Sequence, residues 1–164
     1  NFFSLLAKFS NSPAMSFPAL VLLSYFVRRK KMFAMTDYST FTLPNGLRMI
    51  YQQVPSQVSY AGFTVNAGSR DEAAGEDGLA HFVEHLLFKG TSRRRSWHIL
   101  NRMETVGGEL NAYTTKEETV IYSVFLSEHL ARAVELMSDL LLHSRFPAGE
   151  VEREVEVTLD EINS

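Results

Sequence analysis

The pentapeptide His81-Phe82-Val83-Glu84-His85 combines the residue types that zinc-dependent hydrolysis uses. On an α-helix of 3.6 residues per turn these positions place His81, Glu84 and His85 within an arc of about 100°, so their side chains project from one face. Taken singly, a helical histidine is usually solvated and a glutamate is usually a surface charge. A chance H-x-x-E-H in a chain of this length has a probability well under about one in a hundred, and the pattern is typical of hydrolytic zinc sites. The pentapeptide therefore predicts a metal-binding helix, whose third ligand it does not identify.

The helix that carries this motif is predicted to be amphipathic. Its buried side is expected to comprise Leu79, Phe82, Val83, Leu86 and Leu87. Asp77 is a candidate N-cap, and the helix is expected to end at about Lys89, where Gly90 follows. The same turns that bury one face would present the two imidazoles from the other.

The rest of the chain alternates between strand and helix patterns. After a turn at Pro44-Asn45-Gly46, strands are predicted over residues 47–53, 60–66, 109–115 and 118–126. Helices are predicted over residues 96–106 and 127–144. Gly107 and Gly108 would end the first of these and permit a close approach of the backbone. The pattern predicts an α+β fold, with a mixed, largely antiparallel sheet and helices packed on it.

A last helix is predicted to begin at Pro147. Its buried side is expected to comprise Val151, Val155, Leu159 and Ile162. Glu154 and Glu161 are seven residues apart, which places them about 20° from each other around the helix axis. The simplest interpretation of such a carboxylate stripe is a solvated acidic face.

Composition narrows the class of protein. Of the 164 residues, 45% are hydrophobic and 21% are charged, with a net charge of -3, as expected for one soluble domain with an apolar core. The slight acidity gives no footprint for nucleic acid. Because the chain has no cysteine, it has neither disulfides nor thiolate ligands, and a metal ion would have to be held by histidines and carboxylates.

Residues 1–36 hold no acidic residue, Asp37 being the first. The apolar stretch 17–27 spans 11 residues, fewer than the roughly 20 that cross a bilayer, so no membrane span is expected. The stretch has the length of a signal-peptide core, but its basic cluster follows it. Residues 1–36 are therefore interpreted as a leader or a mis-assigned upstream segment outside the fold, and residues 37–164 as one unit. A cytoplasmic location is expected, with periplasmic and organellar locations left open.

Five blocks of sequence extend the motif, in the order LPNGLRMIY, NAGSRDE, HFVEHLLFKGT, GGELNAYTTKEETVIYSVFL and EREVEVTLDEI. Over residues 37–164 the chain resembles the N-terminal part of the insulinase, pitrilysin and mitochondrial processing peptidase family, the inverzincins, and most closely its short bacterial members. The resemblance implies that residues 37–164 are an N-terminal fragment of a peptidase catalytic domain. It implies a truncated half-unit of the processing-peptidase type.

The resemblance also completes the ligand set. The family takes its third ligand from a glutamate about 76 residues after the second histidine, which is Glu161 here, and Glu154 matches a supporting acidic position. His81, His85 and Glu161 would then hold one Zn²⁺ ion. Glu84 would act as general base towards a metal-bound water, as in a zinc metalloendopeptidase.

Further family positions concern the substrate. Asn111, Ala112 and Tyr113 match a strand that borders the active site and accepts an extended peptide by strand addition. Glu117 matches a position that is expected to hydrogen-bond a ligand histidine. The simpler interpretation of Asn111 and Glu117 is a turn or edge residue without a role in the site.

The resemblance implies a peptide or unfolded polypeptide as substrate and a second homologous domain or subunit as partner, because active members use two such units. Neither a nucleic-acid partner nor a membrane span is expected. Two alternatives to an active enzyme stay open at this point. One is a catalytically silent subunit of the family, and the other is a zinc- or peptide-binding fragment that lacks the second half.

Overall fold

The computed structural model describes residues 19–26 and 38–162. Within these ranges the strands are β1 (Ala19–Phe26), β2 (Tyr38–Thr42), β3 (Arg48–Val54), β4 (Val58–Val65), β5 (Glu109–Thr114) and β6 (Thr119–Leu126). The helices are α1 (Leu79–Leu87), α2 (Ser96–Glu104), α3 (Leu130–His143) and α4 (Ala148–Ile162). The predicted elements are thus present, with bounds that differ by a few residues. None of the helices described is long and apolar enough to cross a bilayer.

The strands form one sheet in the order β2-β3-β1-β4-β6-β5. Neighbouring strands are antiparallel, apart from the parallel pair of β1 and β3. A tight turn joins β2 to β3, in which Gly46 has a φ of 85° and the backbone N–H of Leu43 donates to the carbonyl of Leu47 at 2.8 Å. The prediction of an α+β fold with a mixed, largely antiparallel sheet is confirmed.

Strand β1 lies inside this sheet, between β3 and β4. We expected residues 1–36 to lie outside the fold, and the structure differs from that expectation for Ala19–Phe26. Strands β3 and β4 do not pair with each other, so β1 supplies backbone partners to the facing edges of both. A short apolar segment satisfies the requirements of a strand as well as those of a leader, and sequence alone gave no reason to prefer the strand. The other residues of 1–36 lie outside the described ranges.

The apolar core forms where α2 and α3 pack on the sheet, with α3 against β4 and β6 and α2 against β5. Its completely buried side chains include Phe63 and Phe125 from the strands and Met103, Met137 and Leu140 from the helices. Full burial of a side chain of this size stabilises the fold by about 1.5–3 kcal/mol. The core therefore holds in place strand β5, against which the helix of the metal motif packs.

Helix α1 begins after Gly78, whose φ of 90° lies in the left-handed region that favours glycine. The prediction of Asp77 as N-cap is wrong, because the carboxylate of Glu72, in the preceding loop, caps the helix. Glu72 accepts hydrogen bonds from the backbone N–H groups of Gly78 at 3.0 Å and Ala80 at 2.8 Å. These bonds satisfy donors that the first turn of a helix leaves free and place a negative charge at its positive end.

The buried side of α1 is narrower than predicted. Leu86 and Leu87 are buried, whereas Leu79 and Val83 are exposed. The prediction is wrong for these two because α1 packs against both α4 and β5, and these contacts cover only part of its circumference.

Candidate metal centre

Helices α1 and α4 bring the two histidines of the motif to a distant glutamate. The Nε2 atoms of His81 and His85 lie 3.0 Å apart. The Oε2 atom of Glu161 lies 3.8 Å from His81 Nε2 and 3.6 Å from His85 Nε2. The structure therefore gathers the three side chains named from the sequence into one cluster, each offering a ligand atom within 4.8 Å of the others.

The face of α4 that turns towards α1 is polar. Glu154 and Thr158 are each 5% exposed, whereas Val155 is 42% and Leu159 52% exposed. The prediction of Val155 and Leu159 as buried residues is wrong. Docking of α4 on α1 buries Glu154 and Thr158 and leaves Glu161 exposed. Glu154 finds charged and hydrogen-bonding partners there that offset the cost of its burial.

Glu154 joins α4 to α1 through both of its carboxylate oxygens. Its Oε1 atom lies 2.8 Å from Nδ1 of His85, and its Oε2 atom lies 2.5 Å from Nζ of Lys89. Burial alone would raise the pKa of Glu154, but the hydrogen bonds from Lys89 and His85, together with the positive charge of Lys89, outweigh it and lower that pKa. The carboxylate is therefore ionised, and it accepts a hydrogen bond from Nδ1 of His85, which leaves the Nε2 lone pair directed to the cluster.

Lys89 is the member of this arrangement that the sequence reasoning missed. It follows His85 by four residues, one helical turn, and it lies just past the end of α1. That spacing from a metal-motif histidine, and the need of a buried glutamate for a counter-charge, are the signals that could have identified it.

The donor atoms fit a zinc ion. Two imidazole nitrogens and one carboxylate oxygen are a ligand set typical of catalytic zinc, with bonds of about 2.0–2.2 Å. A tetrahedral ion with such bonds would separate its ligand atoms by roughly 3.4 Å, close to the 3.0, 3.6 and 3.8 Å observed here. A bound cation would accept the Nε2 lone pairs of both imidazoles at this separation.

A cleft of about 360 Å³ opens beside the cluster. Glu84 and His85 line it from α1, and Asn111 and Ala112 line it from β5. Phe88, Leu100 and Leu110 give it an apolar wall. Glu84 thus borders the same space as a metal-motif histidine and a strand, which is the position required of a group that acts on a bound peptide.

Among the described strands, β5 pairs with β6 and forms an edge of the sheet. Asn111 and Tyr113 are exposed and alternate along it with the less exposed Ala112. The ring of Tyr113 packs near that of Tyr122 on β6, with centroids 6.1 Å apart. The structure thus brings Asn111 and Ala112 to the cleft, and Tyr113 continues the same edge.

Glu117 lies apart from this arrangement. Its side chain is exposed in the turn between β5 and β6 and forms an ion pair with Arg70. The expected hydrogen bond to a ligand histidine is not among the contacts of the described residues, and Glu154 makes that contact with His85 instead. The local sequence around a glutamate does not indicate whether its carboxylate will contact a histidine on another helix.

Comparison with known proteins matches residues 48–164 to the family Insulinase (Peptidase family M16). A protein of Mycobacterium leprae named an uncharacterized zinc protease is 47% identical over 122 residues, covering 74% of this chain and 27% of that protein. The mitochondrial-processing peptidase subunit beta of Saccharomyces cerevisiae is 42% identical over 123 residues, covering 74% of this chain and 27% of that protein.

Among solved structures, a protease from Helicobacter pylori is similar to this chain with a TM-score of 0.74 and 26% sequence identity. The match covers 76% of this chain and 30% of the bacterial one. The chain spans little more than a quarter of the length of the relatives compared, 27% in both cases given above.

Proposed function

Because the chain belongs to the insulinase family of peptidases, we propose that it forms the N-terminal part of the catalytic domain of a zinc-dependent metalloendopeptidase. His81, His85 and Glu161 would hold one zinc ion, and Glu84 would be the general base. The observation that carries the proposal is the convergence of three suitable ligand atoms from two helices beside a cleft that Glu84 also lines.

A zinc ion, when bound, polarises a carbonyl as a Lewis acid and lowers the pKa of a coordinated water to about 7. Glu84 lies one residue before His85 on the same face of α1, so its carboxylate can accept a proton from the attacking water. The protonated Glu84 can then return that proton to the amine that leaves when the peptide bond breaks. General acid–base catalysis of this kind contributes about 10²- to 10⁴-fold to a rate.

Glu154 and Lys89 position the site without touching the substrate. Glu154 holds His85 in one tautomer and orientation, and Lys89 keeps the Glu154 carboxylate charged and in place. Partners of this kind raise the basicity of a ligand imidazole and fix its ring.

The substrate is proposed to be a peptide or unfolded polypeptide in extended conformation. It would pair with the edge strand β5 beside Asn111, Ala112 and Tyr113, and the main-chain hydrogen bonds would bind it largely independently of sequence. This places the scissile bond near the cleft that Glu84 borders. A second homologous domain or subunit is proposed to complete the chamber, in keeping with the greater length of the relatives.

The substitution Glu84→Gln tests the proposal. We expect it to leave zinc stoichiometry unchanged, because it removes no ligand, and to lower the rate of cleavage of a quenched peptide by at least about 10²-fold. Glu104→Gln, on the exposed surface at the end of α2, is the matched control and should change neither quantity.

Two results would contradict the proposal. Full activity of the Glu84→Gln protein would exclude Glu84 as general base. Stoichiometric zinc and peptide binding without cleavage, in this chain combined with its second homologous domain or subunit, would identify a catalytically silent subunit or a peptide-binding module instead.

A further inference from the structure

A second cleft, of about 380 Å³, lies beside the metal centre and is rich in positive charge. Lys89, Arg94, Arg95 and Arg145 line it, and Glu150 is the one carboxylate in its lining among the described residues. Four cations around so small a space repel one another unless carboxylates neutralise them.

Two of the four cations, Arg94 and Lys89, are paired with carboxylates. Arg94 donates to Asp139 at 2.5 Å and to Glu135 at 2.6 Å, and Lys89 pairs with Glu154 at 2.5 Å. Burial by itself would lower the pKa of Arg94, but the hydrogen bonds of the two carboxylates raise it. Arg94 and Lys89 therefore stabilise the fold around the cleft and are not available to bind a ligand.

Arg95 and Arg145 are different. Both are exposed, and the contacts of the described residues include no carboxylate partner for either. The carboxylate of Glu150 lies 3.3 Å from Arg153 on its own helix. The cleft therefore retains two guanidinium groups whose charge is not balanced, and a planar guanidinium binds carboxylate oxygens in pairs.

The backbone around these arginines is held firmly. Gly90 and Arg95 form a β-bridge, and the backbone N–H of Arg145 donates to the carbonyl of Gly90 at 3.0 Å. The hydroxyl of Thr91 accepts from the N–H groups of Arg93 and Arg94 at 3.0 and 2.9 Å. One short loop thus holds the backbone of both Arg95 and Arg145 next to Gly90, so the two side chains start from fixed, neighbouring positions.

The cleft shares one lining residue, Lys89, with the cleft beside the metal centre. Lys89 also lines the cleft that Glu84, His85 and Asn111 border. A side chain of a peptide held against β5 would therefore have to extend past Lys89 to meet Arg95 and Arg145. Helix α2 begins at Ser96 in the same lining and adds the positive partial charge of its first turn.

We propose that this cleft binds the carboxylate of an acidic side chain of the peptide that occupies the metal centre, through Arg95 and Arg145. The site would make the enzyme select peptides with aspartate or glutamate at one position near the scissile bond. The proposal rests on the proposed function, since the peptide is the substrate of that enzyme.

Trp97 allows binding to be measured without turnover. It is the one tryptophan of the sequence, it lines the cleft, and its side chain is 66% exposed, so its fluorescence reports on a ligand that enters. Peptides that differ only in glutamate against glutamine, with that position moved along the sequence, are titrated into protein carrying Glu84→Gln. At one position we expect the glutamate peptide to bind about tenfold or more tightly than its glutamine twin.

The double substitution Arg95→Gln and Arg145→Gln should abolish this preference and leave the affinity for the glutamine peptide unchanged, which also shows that the fold is intact. The matched control, Arg48→Gln with Arg70→Gln, removes two exposed arginines that do not line the cleft and should keep the preference. Equal binding of the twin peptides at every position would overturn the proposal, and so would a preference that survives in the double variant.

Competition with inorganic phosphate tests whether the cleft binds a free anion or the carboxylate of a peptide. We expect phosphate to compete only weakly with the glutamate peptide, whereas tight phosphate binding with no discrimination between the peptides would overturn the proposal. Cleavage is measured separately on protein without Glu84→Gln. A preference for glutamate without cleavage would contradict the proposed peptidase activity and support the carboxylate site. Cleavage without a preference for glutamate would support the peptidase activity and contradict the carboxylate site.

Discussion

His85 and Glu154, which are 69 residues apart in the chain, link α1 to α4, with Nδ1 of the imidazole 2.8 Å from Oε1 of the carboxylate. The contact means that the orientation of a metal-motif histidine on one helix is set by a buried residue of another. Assembly of the candidate metal centre therefore requires α4 to pack on α1.

Glu154→Gln should weaken zinc binding while leaving the three ligand side chains in place. The amide cannot carry the negative charge that stabilises His85 and pairs with Lys89, so we expect zinc affinity to fall by about 10- to 100-fold. Competition with a chromophoric chelator measures that affinity.

Two variants bracket this result. Glu156→Gln, on the exposed side of α4, should bind zinc as the unsubstituted protein does, and Glu161→Ala, which removes a candidate ligand, should lose more affinity than Glu154→Gln. An unchanged affinity in Glu154→Gln would show that the contact with His85 does not support the metal.

Asp139 should be the most costly single carboxylate of the fold to neutralise. It is completely buried, and its Oδ2 atom accepts from Arg94 at 2.5 Å and from Thr91 at 2.9 Å. Asp139→Asn would leave the guanidinium of Arg94 without its buried partner, and loss of one member of such a pair costs about 3–5 kcal/mol. Urea unfolding followed by circular dichroism measures the change.

Glu135→Gln is the matched control for Asp139→Asn. Glu135 contacts the same arginine at 2.6 Å, but its side chain is 38% exposed, so solvent screens the pair and the cost should be at most about 1 kcal/mol. Equal losses in the two variants would mean that burial does not decide the strength of this network.

The hydrogen bonds of Glu72 at the start of α1 should contribute to the stability of the fold. Glu72 accepts from two backbone N–H groups at the start of the metal-motif helix, and Glu72→Gln removes the charge and one of the two acceptors. The free energy of unfolding should fall by about 1 kcal/mol, the usual magnitude for loss of a helix cap. Glu76→Gln is the control, because Glu76 is exposed and accepts one backbone N–H outside the helix; its effect should stay below about 0.5 kcal/mol.

The parts of the site that sequence could predict are those that lie within one helix. The spacing of His81, Glu84 and His85 fixes their common face through the geometry of the α-helix itself, and the structure keeps it. Glu161 required the resemblance to a family, because no local pattern links a residue of α4 to one of α1.

The hydrophobic pattern of α4 predicted the wrong buried face for this helix. Val155 and Leu159 have the greater tendency to be buried, yet the helix buries Glu154, whose pairing with His85 and Lys89 depends on residues far away in the sequence. The cap by Glu72 escaped prediction for the same reason, since it reaches across a loop. Long-range polar contacts, rather than local propensity, decide these features.

The other buried residue on this face of α4 gives the last prediction. Thr158 is 5% exposed, and its hydroxyl is among the buried polar atoms of the described residues that have no hydrogen-bond partner. An unsatisfied buried hydroxyl costs about 1–3 kcal/mol, and valine has the same shape without it. Thr158→Val should therefore raise the free energy of unfolding by about 1 kcal/mol. Thr158→Ala removes the hydroxyl but also leaves a void, so it should gain less than valine or lose stability; a loss of stability in Thr158→Val would show that the hydroxyl has a partner after all.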